Sequence, residues 1–348
     1  MSNDHARFIS PSLQLGGIRT GTLDSPQPLG GQACKVAFVD TGAGLRFTVA
    51  LDRGSDIVDA TYNDCSLTHL GPNGLMPPSN AHQLDLQWLR GWACGLVTTC
   101  GPLNIGVAQK DDPLADGLHG RFSNTPAAVL AITNPCLSKN QTQMSITTRI
   151  NDTRMFDPCI EVQRTIRCEL GNNDITIEDV ATNTGNTTCP HHWLYHCNMG
   201  YPLLAPGSRL IMGGSVTQTW GTLENTTDLN DVKKIPDILP EHVGDGSGGI
   251  IIKPNAQDGI AHVGLINELR GLAMRISFPQ QTLPNLAIWQ HFGPNAYVCG
   301  IEPFAGSLML DDAQQLEPGE SRSYHVQLSV LNTPQAIAQL AQYDAPLV

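Results

Sequence analysis

Charge is scarce in the 348-residue chain. Only 15% of its residues are Asp, Glu, Lys or Arg, and just six of the 20 basic ones are Lys. Against these stand 32 acidic residues, a formal net charge of −12. A nucleic-acid binder displaces counterions from phosphates with a basic face, so no nucleic-acid partner is expected. Long apolar runs are missing too. No stretch approaches the ~20 residues that a membrane-spanning helix requires, so no membrane partner is expected either. The N-terminus, MSNDHARFISPS, lacks a basic segment followed by an apolar core. No secretory leader is expected, and the chain reads as cytoplasmic. Disorder is excluded by an apolar content of 41%, ample for a core.

The ten cysteines contain no CxxC, the usual hook for structural zinc. Without a leader, a disulfide framework is not expected. Several lie in apolar runs, such as Cys94 in WACGLV and Cys299 in YVCGI, where a thiol acts as a small buried hydrophobe.

Glycine (34) and proline (24) are plentiful, and good helix formers such as Lys are not, which favours many strands joined by turns. Period-two alternation bears this out. In IEVQRTIRCEL, Ile160, Val162, Ile166, Cys168 and Leu170 share one face, with Glu161, Gln163, Thr165, Arg167 and Glu169 opposite. A Gly-Asn-Asn turn at 171–173 leads into DITIEDV, so this segment predicts strand, turn, strand. The runs at 272–278 and 324–331 alternate likewise, with shorter β-like runs at 46–51, 145–150, 209–213, 260–266, 286–290 and 296–302. Helical periodicity is confined to NAHQLDLQWL (80–89) and PQAIAQLAQY (334–343). Strands do not alternate with helices, which disfavours a parallel doubly wound sheet. The reading is all-β: one antiparallel β-sandwich domain over 1–348, with N-terminal strands or an extension over 1–45. The Asn-, Asp-, Gly- and Pro-rich segment 221–259 reads as a long loop excursion. Exposed antiparallel edges offer a route to a homodimer.

Five segments carry polar residues that strand propensity does not explain. The first is LDRGSDI (51–57), whose Asp52, Arg53 and Asp56 either form a buried ion-pair network or reach a cleft floor. Next come WLRGWACGLVTTCGPLN (88–104), with Arg90 between two tryptophans, and GLHGRFSNTPA (117–127), with His119 and Arg121 flanking Gly120. On extended backbone His119 and Arg121 would share a face. Arg121 then either recognises hydroxyls or an anion, or pairs with a structural carboxylate. In HHWLYHCNMGYPLL (191–204), alternation puts His192, Leu194, His196 and Asn198 on one face and Trp193, Tyr195 and Cys197 on the other. Adjacent His191 and His192 point to opposite faces and lack acidic or Cys partners at ligand spacing, so no metal is expected. In IWQHFGPNAYVCGIEPF (288–304), Glu302 ends an apolar strand. It is either a desolvated carboxylate tuned as a base or a surface ion-pair partner. Trp88, Trp92, Trp193 and Trp289 lie in these segments, as core or as faces that stack on a sugar.

Taken in order, RGWACGLVTTCGP, DGLHGRFSNTPA, ELGNNDITIEDVATNTG, YHCNMGYPLL, YVCGIEP and LEPGESRSYHVQLSVL resemble the aldose 1-epimerase (galactose mutarotase-like) superfamily, in its aldose 1-epimerase-like branch. The resemblance spans about 90 to 331. Arg90 in LRGW, and His119 with Arg121 in LHGR, are similar to motifs of the hexose-phosphate epimerases of that superfamily. The resemblance implies a large antiparallel supersandwich with a sugar cleft across a concave sheet, and an isomerase acting on a monosaccharide or derivative without metal or cofactor. Glu302 matches the glutamate that takes the proton from the anomeric O1 hydroxyl. His196 matches the histidine that protonates the ring oxygen, so that the ring opens and recloses. His119 and Arg121 would bind hydroxyls or the ring oxygen, and Arg90 would line the pocket. Asn198 and Trp289 lie beside these residues and join the expected binding set, with Asn267 in HVGLINEL standing for the family's substrate-binding aspartate. The chain departs from the family where Cys-Asn-Met-Gly follows His196 and Pro303 follows Glu302. Two alternatives keep the fold: a non-catalytic carbohydrate-binding or sensing protein, and an enzyme for an acidic or oxidised sugar whose anion Arg90 or Arg121 would hold.

Overall fold

The computed structural model describes residues 12–24, 33–108, 116–156, 158–308 and 313–348. Strands dominate, and every strand pairing within the named sheets is antiparallel. Two large sheets build the sandwich. One has six strands in the order Gly214–Gly221, Gly248–Pro254, Asn285–Gly293, Ala296–Ala305, Trp193–Gly200, Thr98–Cys100. The other has eight, in the order Arg209–Ile211, Ile260–Asn267, Leu272–Pro279, Ser321–Leu331, Asp174–Asn183, Cys159–Glu169, Gln143–Thr153, Ala127–Thr133. A five-stranded sheet of residues from Gly17–Asp24 to Cys65–Ser66 flanks them.

Alternation sorts the side chains. Leu286, Ile288, Cys299, Ile301, Tyr195 and Cys197 point from the six-stranded sheet into a core shared with Ile146, Ile166, Ile177, Ile276 and Leu328 of the eight-stranded sheet. Because a strand repeats every two residues, Ala287, Trp289, His291, Gly300, Glu302, His196 and Asn198 must take the opposite face, the side on which the resemblance expects the cleft.

The core side also holds a buried ion cluster that joins three sheets. Arg164 of the eight-stranded sheet donates Nε and Nη2 to the two carboxylate oxygens of Asp179, both at 2.8 Å. Its Nη1 donates to Asp56 Oδ1 of the five-stranded sheet at 2.8 Å and to the Gly54 carbonyl, and Nη2 also reaches Thr99 Oγ1 of the six-stranded sheet. Tyr195 donates its hydroxyl to Asp179 Oδ2 at 2.7 Å. Of the three charged residues in LDRGSDI, only Asp56 enters this cluster. Arg53 is tied to the carbonyls of Ser123 and Met76, and Asp52 accepts from the Lys35 N–H.

Two expectations change. Segment 80–89 forms two short 3-10 turns, Asn80–Gln83 and Asp85–Gln87, before a four-residue helix Trp88–Gly91. The expected loop excursion 221–259 is not all loop, since Gly248–Pro254 is an inner strand of the six-stranded sheet. Of 1–45, residues 1–11 and 25–32 lie outside the described residues, and Gly17–Asp24 and Ala33–Asp40 pair as strands. The C-terminal helix forms over Pro334–Ala341, capped by the Thr333 side chain accepting from the Ala336 N–H. All ten cysteines are free thiols.

Candidate active site

His196 and Glu302 meet on the cleft side of two neighbouring central strands, with His196 Nε2 facing Glu302 Oε1 at 3.3 Å. Both are nearly inaccessible, 4% and 3% exposed. Gly300 allows this approach. A Cβ there would overlap Glu302 Oε1 and stand 3.1 Å from His196 Cε1, so any larger residue would push the pair apart. The Asn198 side chain, two residues along the same strand, also bonds the His196 ring.

A third polar group arrives from a turn. His119 has φ +60° and Gly120 φ +74°, a left-handed pair that bends the chain sharply. A non-glycine residue in that region carries strain, which clusters at functional sites. The turn carries the His119 ring to 5.6 Å from that of His196 and 4.7 Å from that of Trp88. Its Nδ1 accepts from the Gly106 N–H at 3.2 Å. The proton of the neutral ring is therefore on Nε2, which is left as a donor.

Three tryptophans wall the group. Trp92 lies 5.0 Å from His196 and 5.8 Å from Trp289, Trp289 lies 5.7 Å from His196, and Trp88 lies 4.7 Å from Trp92. Trp88 and Trp92 are anchored by Nε1 hydrogen bonds to Ser123 Oγ and Thr98 Oγ1. The low-dielectric enclosure sets the protonation states. Burial pushes the Glu302 carboxyl up to about 8 and the His119 imidazole down to about 4. Burial, with His119 beside it, holds His196 well below its usual range. Near pH 7 the pair therefore carries one acidic proton, on Glu302, beside an unprotonated imidazole nitrogen.

Not every expected site residue joins this group. Glu302, His196, His119 and Trp289 converge. Asn198 lies on the same face, but its amide nitrogen donates to the carbonyls of Gly95 and His196, so it braces the strand. His119 and Arg121 do not share a face, because the left-handed turn between them replaces extended backbone. Arg121 instead pairs with Asp116, its Nε 3.0 Å from Oδ1, and with Asp152. Arg90 is exposed on the helix Trp88–Gly91. Asn267 belongs to the eight-stranded sheet, where its amide donates to the Pro202 and Leu203 carbonyls and accepts from the Arg270 N–H. Trp193 goes to the core, stacked on Tyr324 at 5.3 Å. Of the four tryptophans read as core or as sugar-stacking faces, Trp88, Trp92 and Trp289 stand around the pair. Gly300 belongs to the group without standing among the expected residues, and a glycine two positions before an acidic residue in a strand is its signal. Among the described residues, no group of three or more His, Cys, Asp or Glu is placed to hold a metal ion. No helix among them is long and apolar enough to cross a membrane.

Solved structures that superpose on the chain include galactose mutarotase-like proteins. A protein from Klebsiella pneumoniae, provisionally described as an aldose 1-epimerase, superposes with a TM-score of 0.77 at 19% identity, covering 98% of this chain and 89% of its own. A galactose mutarotase-like protein from Clostridium acetobutylicum gives 0.61 at 12% identity over 91% of this chain and 98% of its own. An Escherichia coli K12 protein, also provisionally an aldose 1-epimerase, gives 0.57 at 15% identity over 91% and 100%. At such identities the likeness establishes the fold. No curated protein matches. One family model covers residues 31–330, and on that match the chain belongs to the family described as Domain of unknown function (DUF4432), built on a galactose mutarotase-like fold.

Proposed function

We propose that the protein interconverts the anomers of a sugar, an aldose 1-epimerase type of isomerisation. The observation that carries this reading is the buried His196–Glu302 pair, 3.3 Å apart, walled by tryptophans. Anomer exchange needs one group to take the O1 hydroxyl proton while another protonates the ring oxygen. The C1–O5 bond breaks, the aldehyde turns about C1–C2, and reclosure returns both protons. No net proton is gained or lost, which suits a pair sharing a single exchangeable proton. With Glu302 raised to about 8 it is the acid of the resting pair and His196 the base, the reverse of the order the sequence resemblance implies. Proton transfer between them restores the other order, so both directions of reaction are served.

The supporting groups suit a neutral sugar. His119 Nε2–H is a fixed donor for a hydroxyl or the ring oxygen, and Trp289 and Trp92 offer apolar faces to the C–H side of a pyranose. Arg121 is engaged by two carboxylates, which argues against an anionic sugar held by that residue. The test is NMR exchange spectroscopy on a panel of aldoses. Glu302→Gln is expected to slow anomer exchange by about 10²–10⁴-fold. Equal rates for wild type and variant would overturn the mechanism, and sugar binding without rate enhancement would make the protein a carbohydrate binder.

A further inference from the structure

The cleft-side face of the six-stranded sheet continues beyond the catalytic pair to its edge, and it is not plain there. Directly paired residues of neighbouring strands lie on one face. The register gives a single row across five strands: Trp220, Gly249, Trp289, Gly300, Asn198. Aromatic residues and glycines alternate along it. Gly300 makes room for the Glu302 carboxyl and the His196 ring. Gly249 makes room for Trp220, since a Cβ there would overlap Cζ2 and Cη2 of that indole. The outer edge of the Trp220 ring thus leans over Gly249, toward Trp289. With strands ~4.8 Å apart, the two tryptophan backbones stand roughly 10 Å from each other. Trp220 is part-exposed, on an edge strand that is otherwise largely open to solvent. It also packs against the cleft-side cluster of Trp88, Leu194, Ile251, Ala287 and Phe304 that carries the catalytic residues' surroundings. A bulky ring laid over a glycine, beside a site already walled by tryptophans, is a second stacking platform in line with the first.

We propose that Trp220 over Gly249 forms a second saccharide subsite, which stacks the neighbouring ring of a reducing disaccharide or longer oligosaccharide while its reducing-end ring lies against Trp289 over His196 and Glu302. The proposal rests on the anomer-exchange reading for the orientation of the sugar, but the platform itself is independent of catalysis. The substrate class it selects is a neutral reducing oligosaccharide in preference to a free monosaccharide.

The test measures binding and exchange separately. Glucose and galactose are compared with maltose, cellobiose and lactose by NMR titration and by exchange spectroscopy, in wild type, Trp220→Ala, Trp220→Phe and Gly249→Ala. At least one disaccharide is expected to bind about tenfold more tightly than its reducing-end monosaccharide, a ratio of the order of a single stacking contact. Trp220→Ala should bring the ratio near one, Trp220→Phe should keep part of it, and Gly249→Ala should lower it by displacing the indole. A disaccharide advantage that depends on Trp220, in a protein that does not speed anomer exchange, supports the subsite while sinking the catalytic reading. Rapid exchange of monosaccharides with no disaccharide advantage, or with one that survives Trp220→Ala, overturns the subsite and leaves the catalytic reading intact. Absence of disaccharide binding overturns the subsite as well.

Discussion

On one side of strand Trp193–Gly200, Tyr195 joins a polar cluster in which all five N–H groups of Arg164 find acceptors. On the other side, its neighbour His196 joins a sparser cluster, in which its Nε2 faces Glu302 Oε1 at 3.3 Å and Asn198 bonds the ring. Both clusters are buried, out of reach of the water that solvates most ionisable groups. They differ in what completes them. The Arg164 cluster is closed by protein atoms from three sheets and has nothing left to offer. The His196–Glu302 cluster rests on one 3.3 Å contact and on Asn198 of the same strand. The denser network suits a structural device, and the sparser one, beside the left-handed turn at His119, suits the proposed site.

The largest effect that would test this contrast is on the structural side. Arg164→Ala leaves Asp56 and Asp179 buried without their counter-charge, and is expected to destabilise by about 3–5 kcal/mol in denaturant titration. A loss below about 1 kcal/mol would erase the distinction. The site side should behave in the opposite sense. Glu302 titrates near 8 in the folded protein and near 4.5 when unfolded, so the folded state binds more protons between those values. Stability must therefore fall as pH rises through that window. Glu302→Gln removes the penalty, and above pH 8 the variant should be more stable than wild type by an amount on the order of a few kcal/mol, with no gap at pH 4. A variant less stable at every pH would reassign Glu302 to structure.

Histidine sets the acid limb. The folded His119 titrates near 4 rather than 6.5, so the unfolded state binds more protons in between and stability falls as pH drops through that range. His119→Gln is expected to recover roughly 1–3 kcal/mol at pH 4 relative to its effect at pH 7, read from paired melts. The smallest effect belongs to Arg90, exposed on its short helix. Arg90→Ala should change stability by less than about 0.5 kcal/mol. A large loss of anomer exchange in that variant would bring its guanidinium back over the cleft.

Alternation alone made much of this legible. The division of Trp193, Tyr195 and Cys197 from Leu194, His196 and Asn198 follows from period two, and the structure repeats it. Partner choice was not legible, because it depends on distant chain. Asp56 and Arg164 are 108 positions apart, and nothing local in LDRGSDI says that Asp56 pairs beyond Arg53. The turn at His119 escaped because few non-glycine residues take left-handed backbone, so LHGR reads as extended. Strand Gly248–Pro254 hid behind its own Gly-Gly and Pro, residues that normally mark a loop, although Gly249 makes space beneath Trp220. Asn267 was placed by likeness to a family position, and its amide turned out to hold backbone in another sheet.

The back-to-back placement of Tyr195 and His196 has a bearing on assembly. A shift of one residue in the pairing of strand Trp193–Gly200 would turn His196 toward Asp179 and Tyr195 toward Glu302, since each step reverses the side chain's direction. Such a mispaired chain would lose the anchor of its charge cluster and the His196–Glu302 contact together. Correct pairing of this strand is thus verified twice by one dipeptide, and refolding that restores both contacts reports that the ladder has zipped in register.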